Sequence, residues 1–511
     1  MKRALALLVG GVLILGSALA AHAQAPTVSF GGQMRVYGFA FNNITDFKDS
    51  GPLGANRDSN SFYFQRWRLW TNVESADKKA KAVWGLEVGD ITWGTGGGTS
   101  GGEYRACPGR APFVPNVTVA VPGGSPGSPV TTPGTVTVTQ PGSNVRVGNG
   151  AGGCLGNDGV NVETKHAYIW IDTGQWVPNS SITLGIQEVL FMNGPLGPLF
   201  DDDAAAIKLN MKFDPVDIEL WTSKFGEGNL SNADDTDAYV ARVGVNITKD
   251  MRATLDFMLV NEQSLAGQSI GDTFWIGGTF GAKLGTVQLD VGGAWGQRAF
   301  APSPAAIASG HSASSPFSEK GYGFYAVAQV PIGPINLTGV GWYLSGDSQV
   351  GPAGCGITPG TGVVLKGTNV GCGAQGSARV LNKDSDKMPQ PESGAGWFGG
   401  GGDYIAEWIM GNESIGGPSI GQVHYADPSG TYGIGAAVTY ALTPALTLGG
   451  GAAYVAASDQ QGPYGDWAFE FDAGATYRFN PNLTFRLFGG VIEPDKGDMA
   501  WAVAFRTQFS F

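Results

Sequence analysis

The fold is decided by residues 501–511, whose sequence is WAVAFRTQFSF. Large apolar side chains occupy alternate positions of this stretch, namely Trp501, Val503, Phe505, Phe509 and Phe511. Most positions between them carry small or polar side chains, including one arginine. Because successive side chains of a β-strand point to opposite faces, this period of two predicts a strand with one apolar and one polar face.

The same alternation recurs along the chain and predicts about 18 strands, with about 16 as the alternative count. Apolar residues stand on one face of each segment, and polar or small residues stand on the other. We predict strands near residues 28–40, 62–74, 80–91, 162–172, 181–190, 204–213, 216–224, 238–247, 252–261, 272–283, 286–296, 321–330, 335–345, 431–441, 445–456, 466–479, 483–492 and 499–511.

The connections between these segments alternate in length. Every second connection is a tight turn, such as the sequences DPV, TKD, LG and TPA, whereas the others are longer. Two of the long connections are very large, near residues 92–161 and 346–430. This order predicts an all-β, antiparallel, up-and-down transmembrane β-barrel, with tight turns at one end and long extracellular loops at the other. A barrel of this strand number encloses an aqueous lumen rather than a packed core.

The composition favours a surface that faces lipid rather than water. Hydrophobic residues make up 42% of the chain, yet the mean hydropathy is only -0.03, so the apolar residues are dispersed. Charged residues make up 14% of the chain, below the share of about 25% that is typical of soluble domains. The formal net charge of -12 argues against nucleic acid as a partner.

The chain begins with MKRALALLVGGVLILGSALAAHAQA, a basic start followed by a short apolar run and small residues. This order predicts a secretory signal peptide over residues 1–23, with cleavage after Ala23. The apolar run is too short for a membrane-spanning helix, which needs about 20 apolar residues. We expect residues 24–511 to form a single β-barrel domain with large external loops.

Four cysteines follow the predicted signal peptide: Cys107, Cys154, Cys355 and Cys372. An even number of cysteines in an exported chain favours disulfide bonds. Their spacing favours pairing Cys107 with Cys154 and Cys355 with Cys372. A zinc site is the alternative, but the chain has no CxxC pair and only 4 histidines.

Three parts of the chain resemble the general porins of Gram-negative bacteria, in particular the homotrimeric outer-membrane porins. They are FYFQRWRLWTNVESADKKAKAVWGLEVGDITWG with its aromatic-Arg-x-Arg pattern, the hairpin of VETKHAYIWIDT and ITLGIQEVLF, and the last predicted strand. The resemblance implies a location in the cell outer membrane, a homotrimer, and contacts with outer-membrane lipid and lipopolysaccharide. It also implies that Phe511 and Phe509 form the assembly signal that the barrel-assembly machinery recognises.

The alternation also predicts which charged side chains line the lumen. Arg66 and Arg68 share one strand face, opposite to Trp67 and Leu69. A charge that faces the middle of a bilayer costs about 2–4 kcal/mol, so the arginine face is expected to point inward. The same reasoning predicts inward positions for Arg35, Lys81 and Glu87, since the residues next to them in the sequence are apolar or small.

A possible constriction is predicted in the third long-side connection, FMNGPLGPLFDDDA. In the porins that the chain resembles, the third loop folds into the barrel and narrows it with acidic residues. The resemblance therefore implies that Asp201, Asp202 and Asp203 lie on an inserted loop and face the arginines. The alternative is that these three residues are a solvated loop tip.

These observations predict an outer-membrane porin for passive diffusion of ions and small polar solutes. A substrate-specific channel for sugars or carboxylates is one alternative, and Phe62, Phe64 and Trp70 on the face of Arg66 leave the sugar channel open. A structural or adhesive surface protein is the other. An enzyme is not expected, because no serine motif stands at a strand-to-helix turn. No cofactor and no metal site is implied.

Overall fold

A computed structural model of the chain describes residues 25–43, 60–93, 118–121, 134–137, 162–226, 236–262, 270–301, 317–346, 384–385, 404–409, 430–458 and 466–511. The predicted signal peptide and all four cysteines lie outside these ranges, so both remain predictions. Within the described ranges, no helix is long and apolar enough to cross a membrane.

The structure is an all-β barrel of 18 antiparallel strands, which confirms the predicted fold class and the larger of the two predicted strand counts. Every predicted strand is present, with ends that differ by at most a few residues. The strands are β1 (Thr27–Asn42), β2 (Asn60–Glu74), β3 (Ala80–Thr92), β4 (Val162–Asp172), β5 (Ser180–Phe191), β6 (Phe200–Phe213), β7 (Val216–Gly226), β8 (Thr236–Thr248), β9 (Met251–Glu262), β10 (Ile270–Leu284), β11 (Val287–Ala301), β12 (Phe317–Ile332), β13 (Ile335–Leu344), β14 (Thr431–Ala441), β15 (Leu446–Ala456), β16 (Trp467–Asn480), β17 (Leu483–Pro494) and β18 (Ala500–Ser510).

Three shorter strands belong to the long connections. Thr118–Val121 and Gly134–Thr137 form a separate two-stranded antiparallel sheet. Asp384–Ser385 pairs in parallel with the start of β12. These strands extend the loop side and leave the order of the barrel strands unchanged.

The barrel closes through the pairing of its first and last strands. Residues from Gln33 to Asn42 of β1 pair with residues from Ser510 back to Trp501 of β18. Beyond the strand end, Gly32 donates its backbone N–H to the carbonyl of Phe511 at 2.9 Å, and Phe511 donates to Gly32 at 3.0 Å. Because β1 also pairs with β2, the barrel has no free edge strand.

The two faces of the sheet differ as the alternation predicts. In β14 the burial alternates residue by residue from position 431 to position 438, with Gly433, Gly435 and Ala437 on the buried side and Tyr432 and Ile434 on the exposed side. In β18, Ala502 is 1% exposed whereas its neighbour Val503 is 44% exposed. Large apolar side chains therefore cover the outside of the barrel, as expected for strands that face lipid.

The tight turns lie together at one end of the barrel. Two of the two-residue turns begin with a glycine of positive φ, namely Gly285 with φ of 66° and Gly333 with φ of 60°. Two-residue hairpins of the favoured types need a positive φ at this position, which glycine adopts without a steric penalty. Both ends of the described barrel, Thr27 and Ser510, lie at this same end, as an even strand number requires.

We predict that barrel stability depends on the space left by Gly32 at the closure. A Cβ on Gly32 would lie 2.4 Å from Cζ of Phe511 and 2.9 Å from the carbonyl oxygen of Arg68. Gly32→Val is therefore expected to lower the free energy of unfolding by about 1–3 kcal/mol through overpacking. The temperature at which the folded band converts to the unfolded band in semi-native electrophoresis should fall.

The control for this variant is Gly339→Val. Gly339 lies in β13, and a Cβ added there would have no other atom within 4 Å, so the new side chain meets open space. An equal loss of thermal stability in both variants would contradict the role assigned to the closure.

Candidate functional site

The candidate site is the interior of the barrel, which two loop segments among the described residues partly fill. The first inserted segment comprises residues 192–199, between β5 and β6, and the second comprises residues 404–409, between β13 and β14. Met192, Leu199, Ile405 and Trp408 are all 0% exposed. Side chains this deeply buried in a barrel with no packed core must lie against the inner wall.

The first inserted segment is a short hairpin that crosses to distant strands. Gly194 and Gly197 exchange backbone hydrogen bonds of 3.3 and 3.0 Å, and Leu199 donates to Phe191 at 3.0 Å. A Cβ on Gly194 would lie 2.0 Å from the hydroxyl oxygen of Tyr325 in β12, so the hairpin backbone rests on that ring. This is the connection for which the porin resemblance implies an inward fold.

The acidic residues of this connection lie elsewhere than expected. Asp201, Asp202 and Asp203 belong to strand β6, so the prediction that they lie on the loop was wrong. The reason is that β6 begins at Phe200, which pairs with Phe191 and extends the hairpin past the acidic run. Asp203 contacts the ammonium of Lys165 and lies 3.5 Å from Nε2 of His166.

The second inserted segment packs on a wall of glycines. Its residues lie against Gly435 of β14, Gly449 and Gly451 of β15, Gly474 of β16 and Gly490 of β17. These glycines share a strand face with buried residues and alternate with exposed apolar residues such as Leu448 and Leu487. The segment therefore narrows the lumen from the side of β14–β17.

Arginines gather on the inward faces of four neighbouring strands, β17, β18, β1 and β2. Arg35 is the direct cross-strand partner of Arg66, and Arg486 is the direct partner of Arg506. Arg35 donates from Nη1 to the hydroxyl of Tyr37 at 3.4 Å, and its buried Nε has no hydrogen-bond partner among the described residues. We call this set, with Arg68, the arginine sector.

One wall carboxylate, Glu87, partly neutralises the arginine sector. Glu87 is 6% exposed and lies on the inward face of β3. Its carboxylate accepts a hydrogen bond from Nε of Arg68 and lies 3.8 Å from Nε of Arg66. Lys81 stands on the same face, as the direct partner of Glu74. The structure thus places Arg35, Arg66, Arg68, Lys81 and Glu87 on the faces for which the alternation predicts lumen positions.

A second sector of the wall, formed by β6–β9, carries charges in matched pairs. Arg252 binds both oxygens of Asp217, at 2.7 and 2.8 Å. Arg242 contacts Asp256, which also accepts a hydrogen bond of 2.7 Å from the hydroxyl of Thr254. The ammonium of Lys208 lies 3.5 Å from Glu219. Opposite charges at this range cancel much of each other's field, so these three pairs add little net charge to the wall.

Next to the paired sector, β2–β6 form a polar recess of about 480 Å³. Its lining combines two aromatic rings, amide and hydroxyl groups, lysine ammonium groups and the carboxylates of Glu74 and Glu188. The lining residues include Lys81, Tyr168, Trp170, Thr183, Lys208 and Asn210. Such a combination can hold a small polar ring. Among the described residues, no group of three or more His, Cys, Asp or Glu side chains could hold a metal ion.

Of the three aromatic residues proposed for sugars, Phe64 is buried, whereas Phe62 and Trp70 are half-buried. The rings of Phe64 and Tyr37 stack at 4.4 Å, and both residues are 0% exposed. Phe39 stacks on Phe64 at 5.6 Å and is 4% exposed. A sugar needs an accessible ring face, whereas the faces of Tyr37, Phe39 and Phe64 are covered by one another.

The predicted lumen residues did not include Arg486 and Arg506, although the alternation of the sequence also places these two arginines on inward faces. Arg486 stands between the apolar residues Phe485 and Leu487, and Arg506 directly follows Phe505. The argument that places Arg66 in the lumen applies equally to both. The carboxylates Glu407 and Glu470, by contrast, come together only through the fold of the second inserted segment.

Comparisons with solved structures find barrels of similar architecture. The outer membrane protein OpdK from Pseudomonas aeruginosa matches with 9% identity and a TM-score of 0.44, over 94% of this chain and 98% of OpdK. OccK8 (OprE) from the same organism matches with 10% identity and a TM-score of 0.47, over 95% and 98%. OprD, also from P. aeruginosa, matches with 12% identity and a TM-score of 0.41, over 96% and 97%. The barrel architecture of this chain rests on its own strand pairing.

Neither of the two sequence comparisons adds a relative. No protein-family model matches the chain. No curated protein matches it.

We predict that the first inserted segment can be displaced by a single side chain. Gly194→Val adds atoms where Tyr325 stands, so the hairpin should move away from β12 and the single-channel conductance should rise. The double variant Gly194→Val, Tyr325→Ala restores the space and should return the conductance towards that of the unmodified protein. Equal conductance of all three proteins in planar bilayers would show that the hairpin does not narrow the pore.

Proposed function

We propose that the protein is an outer-membrane channel of a Gram-negative bacterium that passes ions and small polar solutes by passive diffusion, with a preference for anions. The closed barrel with an apolar outside and a charged inside supports a channel. The single observation that carries the anion preference is the arginine sector. A homotrimer, lipopolysaccharide contacts and recognition of Phe509 and Phe511 by the assembly machinery are part of this proposal.

The arginine sector is costly for folding, which supports a functional role. Like charges directly opposite one another on neighbouring strands are destabilising, and both the Arg35–Arg66 and the Arg486–Arg506 pairs are of this kind. Glu87 contacts Arg66 and Arg68, and Glu407 contacts Arg486. Arg35 and Arg66 bring positive charge to the inward face of the wall, where it acts on a permeating ion at short range.

The charges that line the lumen affect the ion selectivity more than the net charge of the whole chain does. The formal net charge is -12, but it includes charges on turns and external loops. Charges farther than about 8 Å from a permeating ion are largely screened at physiological ionic strength. An anion that passes the arginine sector meets positive groups at much shorter range, so it should be favoured over a cation.

We predict that removing one arginine charge weakens the anion preference. Arg35→Gln and Arg66→Gln should each lower the chloride-to-potassium permeability ratio by about twofold, because each removes one lumen charge. The measurement is the reversal potential of single channels in a planar bilayer across a potassium chloride gradient. Folded, purified protein without any stepwise conductance would refute conduction past the arginine sector.

The matched control is Lys249→Gln. Lys249 lies on a tight turn, and its side chain is 90% exposed. This variant makes the same change in net charge at a position where solvent screens it. A shift equal to that of Arg35→Gln would mean that net charge, and not the arginine sector, sets the selectivity.

A substrate-specific channel is the second candidate, favoured by the polar recess. Trp170 and Tyr168 can stack on a ring, and Thr183 and Asn210 can hydrogen-bond to hydroxyl groups. A specific site makes the flux saturate as the solute concentration rises. Liposome-swelling rates for small carboxylates that rise linearly with concentration would argue against this candidate.

A further inference from the structure

The second inserted segment is held in the lumen by hydrogen bonds to one carboxylate of the barrel wall. Glu470, on the inward face of β16, is 0% exposed. One of its oxygens accepts the backbone N–H of Trp408 at 2.7 Å, and the other accepts the N–H of Ile409 at 2.8 Å. Both oxygens of one wall carboxylate are thus used to bind the backbone of a loop that lies more than 60 residues away in sequence.

Three further contacts hold the segment from the side of β17. Arg486 donates from Nη2 to both carboxylate oxygens of Glu407, at 3.1 and 3.2 Å. The Trp408 ring stacks on Phe488 with 5.4 Å between centroids. The Arg486 guanidinium lies 5.2 Å from the centroid of the Tyr404 ring. These contacts are specific side-chain interactions and not a diffuse apolar packing.

Glycines of the barrel wall leave the space that the side chains of the segment occupy. A Cβ on Gly449 would lie 2.1 Å from Cε2 of Tyr404, and a Cβ on Gly490 would lie 2.5 Å from Cδ1 of Trp408. Any larger residue at these wall positions would push the segment into the lumen. The glycines therefore allow close docking and leave a wide lumen on this side when the segment is absent.

The docked segment also carries features that favour its release. Tyr404 has φ of 68° and Ala406 has φ of 50°, both in the left-handed region that side chains other than glycine rarely adopt. The indole N–H of Trp408 is buried without a hydrogen-bond partner among the described residues. A strained backbone and an unsatisfied donor persist only while the surrounding contacts impose them.

We propose that residues 404–409 form a releasable plug, docked by Glu470, and that its release opens a second passage along β14–β17 with a lining of opposite sign. The inference rests on the proposed channel function. In the docked state solutes pass the arginine sector. After release, the inward face of β16 exposes the carboxylates of Glu470 and Asp472, which are 0% and 6% exposed in the docked state, beside Arg486 of β17. The passage is then wider and less selective for anions.

The test compares single-channel conductance and reversal potential in planar bilayers for the full-length protein and two variants. Trp408→Ala loosens the plug and leaves both wall carboxylates in place. Glu470→Ala removes the acceptor for two buried backbone N–H groups, whereas Glu470→Gln keeps one carbonyl acceptor and should have an intermediate effect. The control is Asp256→Ala, which removes an equally buried wall carboxylate that holds Arg242 and Thr254.

We expect Trp408→Ala and Glu470→Ala to raise the conductance about twofold, because conductance follows the open cross-section of a water-filled pore. Trp408→Ala should also shift the reversal potential towards cation permeation, and Glu470→Ala should shift it less because one carboxylate is lost. Heat-modifiable electrophoretic mobility checks that each variant is folded.

Three outcomes separate this inference from the channel proposal. If the unmodified protein conducts and both folded variants match it, the plug is refuted and the channel stands. If Asp256→Ala raises the conductance equally, general loosening of the wall explains the result and the plug is again refuted. If the unmodified protein is silent but the variants conduct, the plug is supported and the resting channel is closed.

Discussion

The whole structure depends on the closure of one hydrogen-bonded sheet between β1 and β18. Inside a bilayer no water is available for unpaired backbone groups, so every N–H and C=O of a spanning strand needs a partner within the protein. The pairing of Gln33 with Ser510, and the two hydrogen bonds between Gly32 and Phe511, supply the last of these partners. The small size of Gly32 lets the Phe511 ring lie over the first strand without separating the two ends.

Closure at this strand number creates an interior that is too wide for side chains to fill. Two loop segments partly fill this interior. One folds inward onto Tyr325 of β12, and the other folds inward onto β14–β17. Glycine is the residue that makes this possible, because Gly194 in one segment and the glycines of β14–β17 in the wall let backbone and rings approach closely. The abundance of glycine, 82 of 511 residues, therefore has a structural use inside the barrel as well as at turns.

The charged side chains inside the barrel are arranged in three different ways. In β6–β9 each basic residue lies close to an acidic partner, as in the Arg252–Asp217 pair, and such pairs lower the cost of removing charge from bulk water. In the arginine sector basic residues face one another, and the remaining repulsion is tolerable because a wet lumen supplies water and counter-ions. The plug adds a third arrangement, in which Glu407 and Arg486 are both fully enclosed and depend on one another.

The sequence by itself determined the strands and their faces, because a period of two is a local property that needs no knowledge of the fold. Arg35 and Glu87 could be assigned to the lumen for this reason, as could Arg486 and Arg506. The sequence did not reveal that β6 begins at Phe200 and includes Asp201–Asp203, since that boundary depends on pairing with β5. Only the tertiary structure decided which loops enter the barrel and that Glu470 binds the backbone of residues 408 and 409. Those contacts join distant parts of the chain across the lumen, and no local pattern records them.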